Sequence, residues 1–87
     1  MPYKIRIAPA AERDIRKLNK QAQKRILDRI EALGAAPRAR GVEKLKGKGA
    51  ALFYRARVGD YRIIYEIQDD LLIVLVLKVG NRREVYR

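Results

Sequence analysis

The chain has 87 residues, 48% of them hydrophobic, with no cysteine and no histidine. That length suits one domain, residues 1–87, and the composition excludes disulfides, thiol nucleophiles and Cys- or His-ligated metals. Twenty-one Lys and Arg against 10 Asp and Glu leave a net charge of +11, a balance that draws a protein toward phosphate backbones or anionic membranes.

In chain order, Tyr3, Ile5 and Ile7 alternate with Lys4 and Arg6, the period of a half-buried strand. Pro9 fits a first helical turn. Ile15, Leu18, Ala22, Ile26, Ile30 and Leu33 then recur at three- and four-residue steps, as one long helix or as two with a break near Asn19-Lys20. Gly34 reads as the helix stop, followed by Pro37 in a short basic loop. A basic stretch punctuated by glycine, Lys44 to Gly49, leads into three strands, Leu52–Val58, Tyr61–Ile67 and Leu71–Val79. The expected fold is therefore α+β: an N-terminal strand, a helical hairpin and an antiparallel three-strand meander, with the helices on one sheet face.

No apolar run is long enough for a membrane span, and the helical segment has no aromatic residue with which to anchor on a bilayer. Nucleic acid is the expected partner and a membrane is not. Met1–Ile7 has no apolar signal region, so a cytoplasmic protein is expected. No acidic cluster suggests a metal site, and no cofactor is expected.

Gly59-Asp60 is short enough for a two-residue hairpin turn. Val58 then faces Tyr61, Arg57 faces Arg62, Ala56 faces Ile63 and Arg55 faces Ile64. Ala56, Val58, Tyr61, Ile63, Tyr65 and Ile67 share the helix-facing side, while Arg55, Arg57 and Arg62 gather on the open side with Phe53, Ile64 and Glu66. Like charges directly opposite cost about 0.2–1 kcal/mol. A phosphate between them converts repulsion into charge-assisted hydrogen bonds. The plainer alternative is that these arginines only solubilise the sheet, with Glu66 softening their field. Gly80 is expected to allow a sharp turn that brings Arg82, Arg83 and Tyr86 beside this face. There Tyr86 either stacks on a base, transfers a proton or packs on the sheet edge.

Lys44-Leu45-Lys46-Gly47, Arg55-x-Arg57, Tyr61-Arg62-x-x-Tyr65, the apolar strand, Val79-Gly80-Asn81-Arg82 and Glu84-Val85-Tyr86 follow in a distinctive order and spacing. Over essentially the whole chain they resemble the RelE branch of the RelE/ParE toxin superfamily. The resemblance implies the toxin of a type II toxin–antitoxin pair, an endoribonuclease that cleaves mRNA in the ribosomal A site. The cut is made without a metal, by attack of the ribose 2′-OH on the adjacent phosphate. The implied partners are a cognate antitoxin, the ribosome and mRNA. The implied phosphate-binding and catalytic residues are Arg55, Arg57, Arg62, Arg82 and Tyr86; Lys44, Lys46, Lys48 and Arg83 are expected as further RNA contacts.

Members of this branch often carry lysine where this chain has Arg55 and Arg57. Arginine keeps its proton, so the general base is left to Tyr86, to Lys46 or to a ribosomal group. Two other readings compete. One is a ParE-like, non-enzymatic toxin that inhibits gyrase on the same fold. The other is a plain nucleic-acid-binding module, with affinity that falls steeply in salt. An acidic amphipathic antitoxin segment would suit the +11 surface and a groove between sheet and helices.

Overall fold

A computed structural model describes residues 2–45 and 52–81. Strand β1 (Lys4–Ile7) is followed by helices α1 (Pro9–Arg16) and α2 (Lys20–Ala35), then β2 (Glu43–Leu45), β3 (Phe53–Val58), β4 (Tyr61–Gln68) and β5 (Ile73–Asn81). The sheet order is β1-β5-β4-β3-β2, with β1 parallel to β5 and every other pair antiparallel. The expected α+β architecture holds, and β2 extends the meander by one strand.

The helical region divides in two. Ala8 is extended before Pro9, whose missing N–H costs nothing in a first turn. Asn19 starts the second helix by accepting a 2.8 Å hydrogen bond from the Ala22 amide. Gly34 does not end α2; it lies buried inside it. The stop comes at Ala36, which precedes Pro37 and is driven out of the helical region (φ −145°, ψ 80°). Gly34 instead permits close approach to β1. The Tyr3 amide donates to its carbonyl at 2.7 Å, and a Cβ there would stand 2.7 Å from Ile5 Cδ1.

One face of the sheet carries the core. Ile15 from α1 and Ile26, Ile30 and Leu33 from α2 pack over Tyr54, Ala56, Ile63, Tyr65, Ile67, Val74, Val76 and Val79. Each fully buried aliphatic side chain contributes about 1.5–3 kcal/mol. A bulge shifts the β4–β5 register between Ile64 and Tyr65, so that Ile64 faces Lys78 and Tyr65 faces Val76. Val76 and Val79 can therefore both point inward despite their odd spacing.

β5 begins and ends later than its apolar run suggests. Asp69–Leu71 forms a 3₁₀ turn, and Leu72 takes a left-handed conformation (φ 53°) before the strand starts at Ile73. The connection needs these extra residues because Asp69 is held elsewhere. Arg38 grips its carboxylate with two hydrogen bonds (3.1 and 2.7 Å), and the Tyr3 hydroxyl donates to it at 2.6 Å. These contacts, Arg38 foremost, lower the Asp69 pKa to about 2.

Arg38 also reaches the Tyr54 hydroxyl at 3.3 Å and lies over that ring. Tyr54 stacks on Tyr65, whose hydroxyl donates to the Pro37 carbonyl at 2.6 Å. Burial pushes the Tyr65 phenol up to about 12. This clasp anchors the start of the segment that leads from α2 into β2. Among the described residues, no helix is long and apolar enough to cross a membrane.

Candidate phosphate-binding site on the β3–β4 hairpin

Gly59 (φ 56°) and Asp60 make the tight turn, and the pairing is the one that a two-residue turn dictates. Val58 faces Tyr61, Arg57 faces Arg62, and Arg55 faces Ile64. Three guanidiniums therefore leave the sheet on the side away from the helices.

Their exposures differ, which alternation alone cannot reveal. Arg57 is exposed, whereas Arg55 and Arg62 are buried, with Arg62 only 1% exposed. The expectation of three arginines on an open face is corrected to one exposed guanidinium beside two sheltered ones. The carboxylate among them is also different. Glu43, from β2, lies opposite Arg55 in the strand register and forms an ion pair with it. Hydrogen bonding and charge from Arg55, then the charges of Arg57 and Arg62, hold the Glu43 carboxyl below its ordinary value. Glu66, expected to soften the field, instead faces Phe53 and lies 2.8 Å from the Gln68 amide.

Gly80 completes the arrangement. It is a strand residue directly opposite Arg62, not the turn that its flexibility suggested. Arg62 thus has arginine on one flank and a position without a side chain on the other. Among the described residues the cluster carries three positive charges against one negative. Guanidinium forks match the oxygens of a phosphate and remain protonated at any working pH. This half of the site can bind and polarise a phosphodiester, but its guanidiniums cannot accept a proton.

Lys44 is exposed, yet it alternates to the opposite face of β2 from Glu43 and is not brought to the arginines. Lys46, Lys48, Arg82, Arg83 and Tyr86 lie outside the described residues. No group of three or more His, Cys, Asp or Glu among the described residues could hold a metal ion. A concavity of about 560 Å³ at the far end of β4, lined by Glu66, Asp69 and Asp70, is acidic and separate from the cluster.

The family model described as the ParE toxin of the parDE type II toxin–antitoxin system matches residues 5–86. Toxin RelG of Mycobacterium tuberculosis is 33% identical over 90 residues, covering 100% of this chain and 99% of the relative. The mRNA interferase toxin RelE of Escherichia coli is 27% identical over 88 residues, covering 99% and 92%. Among solved structures, the archaeal RelE–RelB complex from Pyrococcus horikoshii OT3 contains a chain of the same fold. It is 33% identical with a TM-score of 0.82, over 94% of this chain and 97% of that one. A basic five-stranded sheet with these relatives defines the toxin of a type II toxin–antitoxin system. Within that class, the chain belongs to the RelE branch of the RelE/ParE superfamily.

Proposed function

We propose that this toxin is an mRNA interferase, an endoribonuclease that cuts mRNA in the ribosomal A site and so stops translation in the cytoplasm. The observation that carries the reading is Arg57 facing Arg62 across the hairpin, with Gly80 on the far side of Arg62. Such a pair is unfavourable on its own and favourable around a phosphate.

In the proposed reaction the 2′-oxygen bonds to phosphorus as the bond to the 5′-oxygen breaks. The products are a 2′,3′-cyclic phosphate and a free 5′-hydroxyl. One proton leaves the 2′-OH and one reaches the departing oxygen. Alignment of the ribose with the phosphate lowers the barrier by up to about 7–11 kcal/mol in the best cases. Arg62 and Arg82 stabilise the added charge on the pentacoordinate phosphorus, and Arg57 binds a non-bridging oxygen. Arg55, tied to Glu43, shapes the field from behind. Tyr86 supplies proton transfer, its phenolate favoured by neighbouring guanidiniums. Arg83, Lys44, Lys46 and Lys48 contribute RNA contacts. A cognate antitoxin, as in the RelE–RelB complex that the fold matches, restrains the activity.

The test is cleavage of mRNA on programmed ribosomes in EDTA, comparing wild type with Arg62→Ala and Tyr86→Phe. Arg62→Ala should slow cutting by about 10²–10³-fold with the fold intact. A near-wild-type rate removes Arg62 from the site. Cutting that persists when the attacking ribose is 2′-deoxyribose refutes the mechanism. The match to the ParE family model favours one rival, a gyrase inhibitor. Gyrase inhibition without RNA cleavage would decide for it.

A further inference from the structure

A second convergence of guanidiniums lies beside the first. β2 pairs only with residues 53–55 of β3, so residues 56–58 have no described strand partner on that side. There α2 and the hairpin border a shallow, open groove of about 550 Å³, lined by Arg25, Arg29 and Ala32 from the helix and by Arg57, Val58 and Gly59 from the hairpin. Arg25 spans the turn: a Cβ on Gly59 would lie 3.0 Å from one of its guanidinium nitrogens. Arg29 Nε is buried and has no hydrogen-bond partner among the described residues. Asp28 also borders the groove, but Lys24 pairs with it at 3.2 Å.

Two helix guanidiniums thus line one groove with Arg57 at its rim. Its carboxylate is paired with Lys24 at the exposed surface, and one guanidinium donor is buried and unmet. An arrangement of this kind is stabilised by an anion. Arg57 lines this groove and also faces Arg62, so the two clusters are continuous. The apolar lining is confined to Ala32 and Val58, too little for the row of anchors by which a partner helix docks. Fork-shaped donors without apolar anchors match a phosphodiester better than a protein segment.

We infer that the Arg25–Arg29–Arg57 groove is a second phosphate subsite, holding a backbone phosphate of the message strand adjacent to the one at Arg62. The strand then passes over the Gly59-Asp60 turn onto α2. This inference rests on the proposed function for the choice of RNA as the polyanion.

The test measures binding of non-cleavable 2′-O-methyl RNA, an octanucleotide and a trinucleotide, to the full chain. It compares wild type, Arg25→Gln/Arg29→Gln and a charge-matched control, Arg13→Gln/Lys20→Gln, whose residues lie outside the groove. The groove variant should bind the octanucleotide on the order of tenfold more weakly. Its log–log salt slope should be shallower by about 0.7, the value for one lost phosphate contact on a single strand. The trinucleotide should bind it as it binds wild type, and the control should change neither. Arg25→Gln alone, with a smaller loss in the same direction, carries the test if Arg29→Gln fails to fold. Equal losses in groove variant and control would overturn the inference, as would an unchanged octanucleotide affinity with weakened antitoxin binding. Weakened binding confined to ribosomes without message would move the phosphate to ribosomal RNA and overturn the strand path. Wild type that binds no RNA would bring down the proposed function as well, an outcome distinct from binding that ignores the groove.

Discussion

Arg57→Gln removes one of two like charges that face each other across the β3–β4 hairpin and keeps a polar side chain at an exposed position. Directly opposed like charges cost about 0.2–1 kcal/mol, and the burial of Arg62 moves this pair toward the upper part of that range. The attraction that Arg57 loses toward Glu43 offsets only part of the gain, because Glu43 is bound to Arg55. A net gain of about 0.5 kcal/mol raises the melting temperature of a domain this size by about 2–4 °C. Thermal unfolding at low salt should show that rise, and about 1 M NaCl, with a Debye length of about 3 Å, should reduce it. The reduction is less complete than for a fully exposed pair, because Arg62 is buried. On programmed ribosomes the same variant should cut about 10²-fold more slowly. A lower melting temperature, or a rise that 1 M salt leaves undiminished, refutes the like-charge argument; full activity refutes the phosphate role of Arg57.

Gly34→Ala gains about 1 kcal/mol of helix propensity but meets Ile5, an overpacking cost of about 1–3 kcal/mol. Urea unfolding should therefore show a net loss that Ile5→Val partly restores, and strict additivity of the two changes would exclude the close approach. Tyr65→Phe leaves the Pro37 carbonyl without its hydroxyl donor and should cost about 1–3 kcal/mol; an unchanged melting temperature would contradict this. Asp69, with its pKa lowered from 3.8 to about 2, stabilises the fold fully above its ordinary value and loses that contribution as pH falls toward 2. Asp69→Asn should flatten this acid limb of a stability–pH curve. Tyr65, raised from 10.0 to about 12, stabilises fully below pH 10 and loses its contribution as pH climbs to 12; Tyr65→Phe should remove that alkaline limb.

The register of the hairpin was legible because Gly59-Asp60 leaves room for only one short turn, and from it the Arg57–Arg62 opposition follows. The helical stripe was equally plain, since Ile15, Ile26, Ile30 and Leu33 repeat often enough to define a face. β2 was not, because three residues hold too little alternation to register as a strand, and its value lies in a long-range pairing of Glu43 with Arg55. Glycines misled for a related reason. At Gly34 and Gly80 conformational freedom suggested a stop and a turn. What matters at both is the missing side chain, which admits Ile5 in one case and puts no side chain directly opposite Arg62 on β5 in the other. Leu71 and Leu72 read as strand from hydropathy, yet the grip of Arg38 and Tyr3 on Asp69 holds that corner of the chain as a turn.

Alternation assigns a side chain to a face but not to a depth, and depth separates the roles of the arginines. Arg62 sits on β4, hydrogen-bonded to β3 on one side and β5 on the other, so its backbone is held from both directions. A guanidinium sheltered there has already lost most of its contact with water, and folding has met that desolvation cost before any RNA arrives. In the proposed reaction it faces the changing phosphate with little left to reorganise, the condition under which a fixed charge stabilises a transition state most. Arg57, exposed beside the turn, must be ordered by its ligand and can in return serve both the scissile phosphate and the neighbouring groove. Arg62→Lys keeps the charge but loses the fork, so it should retain RNA affinity while cleavage falls; Arg57→Lys should lower affinity and leave most of the single-turnover rate. Equal effects of the two substitutions on affinity and rate would show that depth does not divide their work.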